Sequence, residues 1–171
     1  ALRRAKTLGC DTCAVCNVTG STISREAGHV LYTYAGPEIA VAATKTYLTQ
    51  IIVMYLIALD LAQKRGTMTA DEISERIVQM KKVPVSMQKI LDEKEKIQFF
   101  ASRAFAVKHV FFIGRGIDYA LAMEAALKLK EISYIHSEAY AAGELKHGTI
   151  ALIEEGSLVV ALATQPELQP K

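Results

Sequence analysis

The residues best suited to chemistry crowd into AALKLKEISYIHSEAYAAGELKHG, residues 125–148. There Lys128, Lys130, Glu131, His136, Glu138, Glu144, Lys146 and His147 interrupt an otherwise apolar run. A buried charge without a partner is costly, so the stretch is either a solvated face or a pocket in which a few charges move protons. Lys128 and Glu131 are three apart and Glu124 lies four before Lys128, so one helix face carries all three. That spacing fits an exposed ion-pair ladder. It also fits a carboxylate base held ionised by a lysine neighbour. The surrounding Ala122, Met123, Ala125, Ala126, Leu127, Leu129 and Ile132 leave little of the helix for solvent and speak for the pocket. His147 stands before Gly148, where a turn can present an imidazole. His29, His109 and His136 show no comparable setting, and His109 reads as the opening of a strand.

Other candidates are weaker. Gly114-Arg115-Gly116 could hold an anion at a helix start or serve only a tight turn. Thr19, Ser21, Thr22 and Ser24 could cradle a phosphate, but hydroxyl-rich loops are common. Cys10, Cys13 and Cys16 have no fourth cysteine or nearby histidine to complete a metal site. Within a strand, Cys13 and Cys16 point to opposite faces. Buried free thiols in a reducing compartment are the expectation, with no metal.

The elements that must position these groups read as α/β. An opening helical pattern leads to a strand over 12–17, a hydroxyl loop and a second strand over 29–33. Pro37 suits the start of a long apolar helix and Gly66 its end. Thr69 and Glu72 form a capping box for a helix to about Lys82, which Pro84 breaks before a further helix over 85–106. A buried strand over 109–113 then runs through Gly-Arg-Gly into a helix, the strand–turn–helix unit of doubly wound folds. A short helix-and-turn segment over 139–148 and a buried strand over 156–164 complete the pattern. The run of domains is 1–66, a helical connector 67–106, and 107–171.

Composition narrows the function classes. A hydrophobic fraction of 51% can bury a real core, and a net charge of +2 with scattered Lys and Arg predicts no nucleic-acid partner. The most apolar run, 51–62, is interrupted by Asp60 and falls short of the ~20 residues a bilayer span needs. A buried core helix in a soluble protein without a membrane role is expected. The chain opens inside a helical pattern without Met, as if cut from something longer.

Three stretches carry a resemblance: AVCNVTGSTISREA (14–27), YTYAGPEIAVAATKTYLTQ (32–50) and GRGIDYALAMEAALKLKEISYIHSEAYAAGELKHG (114–148). They resemble the isomerase module of the glucosamine-6-phosphate synthase family, the glutamine–fructose-6-phosphate aminotransferases, essentially from Ala1 to Pro170. The resemblance implies sugar isomerase (SIS) subdomains, flavodoxin-like parallel sheets flanked by helices. The chain would hold the back half of one and the front half of a second. It implies conversion of fructose 6-phosphate and glutamine-derived ammonia to glucosamine 6-phosphate for hexosamine biosynthesis. Glu131 would be the base moving a proton between C1 and C2, and Lys128 would stabilise the developing oxygen charge. His147, supplied by a neighbouring subunit, would assist ring opening, which requires a homodimer. No metal or organic cofactor is implied, because the aldose–ketose shift is proton transfer. The glutaminase domain would lie in the same parent chain, in the cytoplasm.

Val41 and Ala43 match the family's sugar-contacting turn, where Ala43 replaces a usual serine. Losing that hydroxyl would weaken sugar binding by ~0.5–1.5 kcal/mol. The family's phosphate loop, glutaminase domain and C-terminal lysine tail lie outside the sequence, so the 171-residue piece alone is expected to be inactive. Two other functions stay open: a phosphosugar-sensing regulator module, and a sugar-phosphate deaminase or deglycase. A scaffold role in dimerisation would use the apolar helix over 47–62.

Overall fold

Strand-forming residues in two separate parts of the chain build two separate parallel sheets. A computed structural model describes residues 1–168. Its contacts divide it into two units, Ala1–Asp92 and Glu93–Lys171.

In the first unit, β1 (Cys13–Cys16) pairs in parallel with β2 (His29–Tyr32), Cys13 opposite His29. A parallel pair needs a crossover, supplied here by the short helix α2 (Thr22–Glu26); α1 (Leu2–Thr7) precedes β1. Asn17 fastens the chain leaving β2: its Oδ1 accepts from Thr33 Oγ1 at 3.0 Å and Ala35 N at 2.8 Å. Cys10 and Cys13 are exposed and Cys16 is half-buried, so the buried-thiol expectation fails. Two strands alone do not cover a sheet face.

Helix α3 (Lys45–Arg65) starts eight residues after Pro37. Glu38 explains the delay. Its carboxylate accepts from Thr46 Oγ1 at 2.8 Å and from the Thr46 and Thr44 N–H groups at 3.2 and 3.4 Å. These are the donors that a helix start leaves unpaired, so Pro37 and its neighbours remain a loop. Gly66, at φ +66°, ends the helix as expected. The expected burial fails: Met54 is 57% exposed and Tyr55 50%, and no residue of α3 is buried. Within this unit only a two-stranded sheet and α4 are available to cover it. Among the described residues α3 is the one helix long and apolar enough, by length and composition, to cross a membrane.

Helix α4 (Ala70–Asp92) begins on the expected capping box, with Glu72 accepting from Thr69 N at 2.7 Å and Thr69 Oγ1 receiving Glu72 N at 3.3 Å. It runs through Pro84 instead of stopping. Proline deletes one intrahelical hydrogen bond, and the Met, Lys, Gln and Leu residues on both sides restore the helix.

The second unit opens with α5 (Lys94–Ala104) and then β3 (His109–Gly114), α6 (Ile117–Ser133), β4 (His136–Ala141) and β5 (Leu158–Leu162). The sheet order is β4-β3-β5, all parallel. The chain moves to one side of β3 and then to the other, the reversal of a doubly wound sheet. The α/β class with helices flanking parallel sheets is therefore borne out. Helix α6 packs on β3 and β4 through small residues: Ala122 and Ala126 are 0% and 2% exposed, and buried Ser137 donates to Ala126 O at 2.8 Å.

Two expectations need correction here. The helix-and-turn segment expected over 139–148 begins inside a strand, β4 over 136–141, because pairing along β3 outweighs the polar composition there. Strand β5 is only half covered, since it has one neighbour in the sheet.

Gly114 closes the packing. A Cβ there would lie 2.5 Å from the Asp118 carbonyl carbon. Gly114→Ala is expected to destabilise by about 1–3 kcal/mol through overpacking, measured as a fall in urea midpoint with unchanged slope; an unshifted midpoint would contradict this packing.

Candidate functional site

Helix α6 starts from a turn that only the sequence Gly-Arg-Gly makes easy. Gly116 sits at φ +52°, a region most side chains avoid. Asp118, in the first turn, is 3% exposed and accepts from Thr164 N at 2.8 Å and Thr164 Oγ1 at 2.5 Å. Gln165 Nε2 donates to Arg115 O at 2.9 Å. These bonds tie the exit of β5 to the start of α6. They enclose a cleft of about 140 Å³ at the carboxyl ends of the strands, lined in part by Ile113, Arg115, Ala142 and Leu162. Thr164's hydroxyl holds the Asp118 carboxyl below its ordinary value.

Nearly three turns further along, Lys128 Nζ lies 2.5 Å from Glu131 Oε2 and 3.5 Å from Glu124 Oε1. The side chains are 21%, 28% and 23% exposed, so water reaches them only in part. The hydrogen bond to Glu131 raises the lysine's pKa, and the charges of Glu131 and Glu124 add to it. At about 100° per residue these three positions lie on the helix side away from Asp118, Ala122 and Ala126. The geometry therefore unites both sequence readings: a ladder of i,i+3 and i,i+4 pairs that is also partly shielded. One oxygen of Glu131, Oε2, is held by the lysine and the other, Oε1, is left without a hydrogen bond among the described residues.

His147 ends a 3₁₀ turn (Leu145–His147) and is exposed, its N–H bonded to Glu144 O at 3.0 Å. Gly148 follows at φ +139°, the turn the sequence pointed to. No hydrogen bond or ion pair joins His147 to Lys128 or Glu131 among the described residues. Val41, 94% exposed, and half-buried Ala43 lie in the loop before α3, in the other unit. The hydroxyl loop has lost part of its freedom: Ser21 Oγ caps α2 by receiving Ser24 N, and Ser24 Oγ donates to Ser21 O. Asp118 and Thr164 went unread in the sequence. They are 46 residues apart and no local pattern joins them.

With this geometry in hand, comparison with known proteins adds the lineage. Residues 1–60 and 105–171 match the SIS domain family. The chain belongs to the SIS domain family. A glutamine–fructose-6-phosphate aminotransferase (isomerizing) of Caldanaerobacter subterraneus is 63% identical over 171 residues, all of this chain and 28% of that protein. The solved C-terminal domain of glucosamine-fructose-6-phosphate aminotransferase from Francisella tularensis superposes with a TM-score of 0.93 at 35% identity. It covers 99% of this chain and 48% of that one. A glucosamine-6-phosphate deaminase from Thermotoga maritima shares the fold, at a TM-score of 0.69 and 24% identity over 96% of this chain and 48% of that one. The SIS match takes in β1, β2 and α3 up to Asp60, then the whole β3–α6–β4 unit that carries Lys128 and Glu131.

The Asp118 tie has a pH signature. A carboxyl lowered by folding stabilises fully above its unfolded value of about 3.9 and loses that contribution as pH falls through its folded value. Asp118→Asn should be less stable than the native chain at pH 6, the gap closing below about pH 4, in urea titrations across pH 2–6. A gap that stays constant down to pH 2 would show that the carboxylate is not the source.

Proposed function

We propose that Glu131 and Lys128 form the proton-transfer centre of a phosphosugar isomerase. The protein containing this chain would convert fructose 6-phosphate and glutamine-derived ammonia to glucosamine 6-phosphate. The observation that carries this reading is the 2.5 Å contact between Lys128 Nζ and Glu131 Oε2 on the helix of an SIS unit. Similarity over the full chain to isomerising aminotransferases supports it. The chain spans 28% of the length of that relative, so the complete reaction belongs to a longer protein, and the 171 residues alone are expected to be inactive.

An aldose–ketose shift moves one proton between adjacent carbons, and a single carboxylate that can reach both does this with least reorganisation. Glu131 Oε1 is the atom left open for that proton. Lys128 then faces the oxygen on which negative charge develops. Glu124 keeps the ammonium in place and protonated. His147 is exposed on its turn and shares no hydrogen bond or ion pair with α6 among the described residues; we assign it to the site of a second subunit, where it would assist ring opening, so a homodimer completes the centre. Val41 and Ala43 would contact the sugar from the loop before α3. We assign residues 1–66 and 107–171 to two SIS subdomains joined by a helical connector, 67–106. Ammonia would arrive from a glutaminase domain of the same protein, in the cytoplasm.

The test grafts this chain into the full-length Caldanaerobacter relative in place of its matching segment. Proton NMR in heavy water then follows fructose 6-phosphate. Deuterium should enter at C1 or C2, and Glu131→Gln should slow entry by about 10²–10⁴-fold. Entry that survives the substitution would assign the base elsewhere. Sugar binding without exchange in the unsubstituted graft would make the module a phosphosugar sensor.

A further inference from the structure

Strands β3 and β4 run in register, so His109 stands directly beside His136. Residues alternate faces along a strand. Ser137 faces α6, where its hydroxyl meets Ala126 O, so His136, Glu138 and Tyr140 occupy the opposite face. On that face His109 Nδ1 and His136 Nδ1 are 3.3 Å apart, with rings edge-to-face at 5.3 Å. Behind them, His136 Nε2 lies 3.4 Å from Glu138 Oε1. The Tyr140 hydroxyl donates to Glu138 Oε2, and the Tyr140 ring stacks on buried Phe111.

Glu138 Oε1 lies in ion-pair range of His136 Nε2, and a proton on that nitrogen leaves the Nδ1 of a neutral His136 as a lone pair directed at His109. Carboxylate-backed histidines with one free nitrogen are the usual ligands of transition metals. The spacing suits them as well. Two bonds of about 2.0–2.1 Å at a tetrahedral angle place their nitrogens about 3.3–3.4 Å apart.

We propose that His109 and His136 form a two-nitrogen site for a borderline divalent cation such as Zn²⁺, Ni²⁺ or Cu²⁺. Glu138 and Tyr140 orient the second ligand. Without metal, His109 Nδ1–H donates to His136 Nδ1; with metal, His109 carries its proton on Nε2, and each Nδ1 lone pair binds the cation. Among the described residues no group of three His, Cys, Asp or Glu side chains converges, so water completes the coordination. Both imidazoles are exposed, so a cation can reach them. The site lies at the amino ends of β3 and β4, away from the cleft at their carboxyl ends, and it does not depend on the reaction proposed above. A metal held there would pin the two strand starts together.

Electron paramagnetic resonance of the chain with one equivalent of Cu²⁺ at pH 7.5 reads the nitrogen count, and calorimetry with Zn²⁺ reads affinity. Two equatorial nitrogens are expected. His109→Asn and His136→Asn should each abolish the two-nitrogen signal, Glu138→Gln should weaken Zn²⁺ binding by about 10–100-fold, and His29→Asn should leave both unchanged. Circular dichroism checks that each variant folds. If one does not, ring ¹⁵N spectra of the unsubstituted chain decide, with Zn²⁺ shifting the Nδ1 resonances of two histidines together. A signal from one nitrogen or none, or a two-nitrogen signal that survives either histidine substitution, overturns the site.

Discussion

Everything in the second unit depends on how closely α6 lies against β3 and β4. Gly114, Ala122, Ala126 and Ser137 make that approach possible, because none has a side chain larger than a hydroxymethyl. A helix seated so closely has a fixed rotation, since its small face must meet the sheet. That rotation sends Glu124, Lys128 and Glu131 to the outer flank as a group. The tie between Asp118 and Thr164 fixes the helix at its start. Position along the helix and rotation about it are thus both set by packing before any substrate is considered.

The electrostatics follow from that placement. A lysine between two carboxylates on a half-shielded flank keeps its charge, and a carboxylate bonded through one oxygen keeps the other available. Neither property requires deep burial. The same ladder of ion pairs is the acid–base pair that the proposed reaction would use. In this chain the flank carries no other charged partner within ion-pair distance among the described residues.

Legibility in the sequence followed the range of the interactions. The strand–Gly-Arg-Gly–helix unit, the Thr69 capping box and the Gly66 stop were readable, because a few neighbouring residues determine them. The Lys128–Glu131 pair was readable for the same reason. Strand β4 was not: its histidine, glutamate and serine look unlike a buried strand, and only the register with β3 makes them one. The apolar residues of α3 announced a core helix, yet apolarity says what a helix would bury and not whether a partner is present. Pro84 predicted a break from a local rule that the surrounding helix formers outweighed. Asp118 with Thr164, and His109 with His136, are contacts between elements, and nothing in their own neighbourhoods marks them.

A double-substitution cycle between Lys128 and Glu131 tests the central claim most directly, read as C1–C2 proton exchange on fructose 6-phosphate in the full-length graft. If the two residues act as one centre, Lys128→Met, Glu131→Gln and the double variant should be impaired to a similar extent, since groups that work as a unit are strongly non-additive. Small losses that simply add, with exchange continuing in the double variant, would reduce the pair to a surface ion pair and place the chemistry elsewhere.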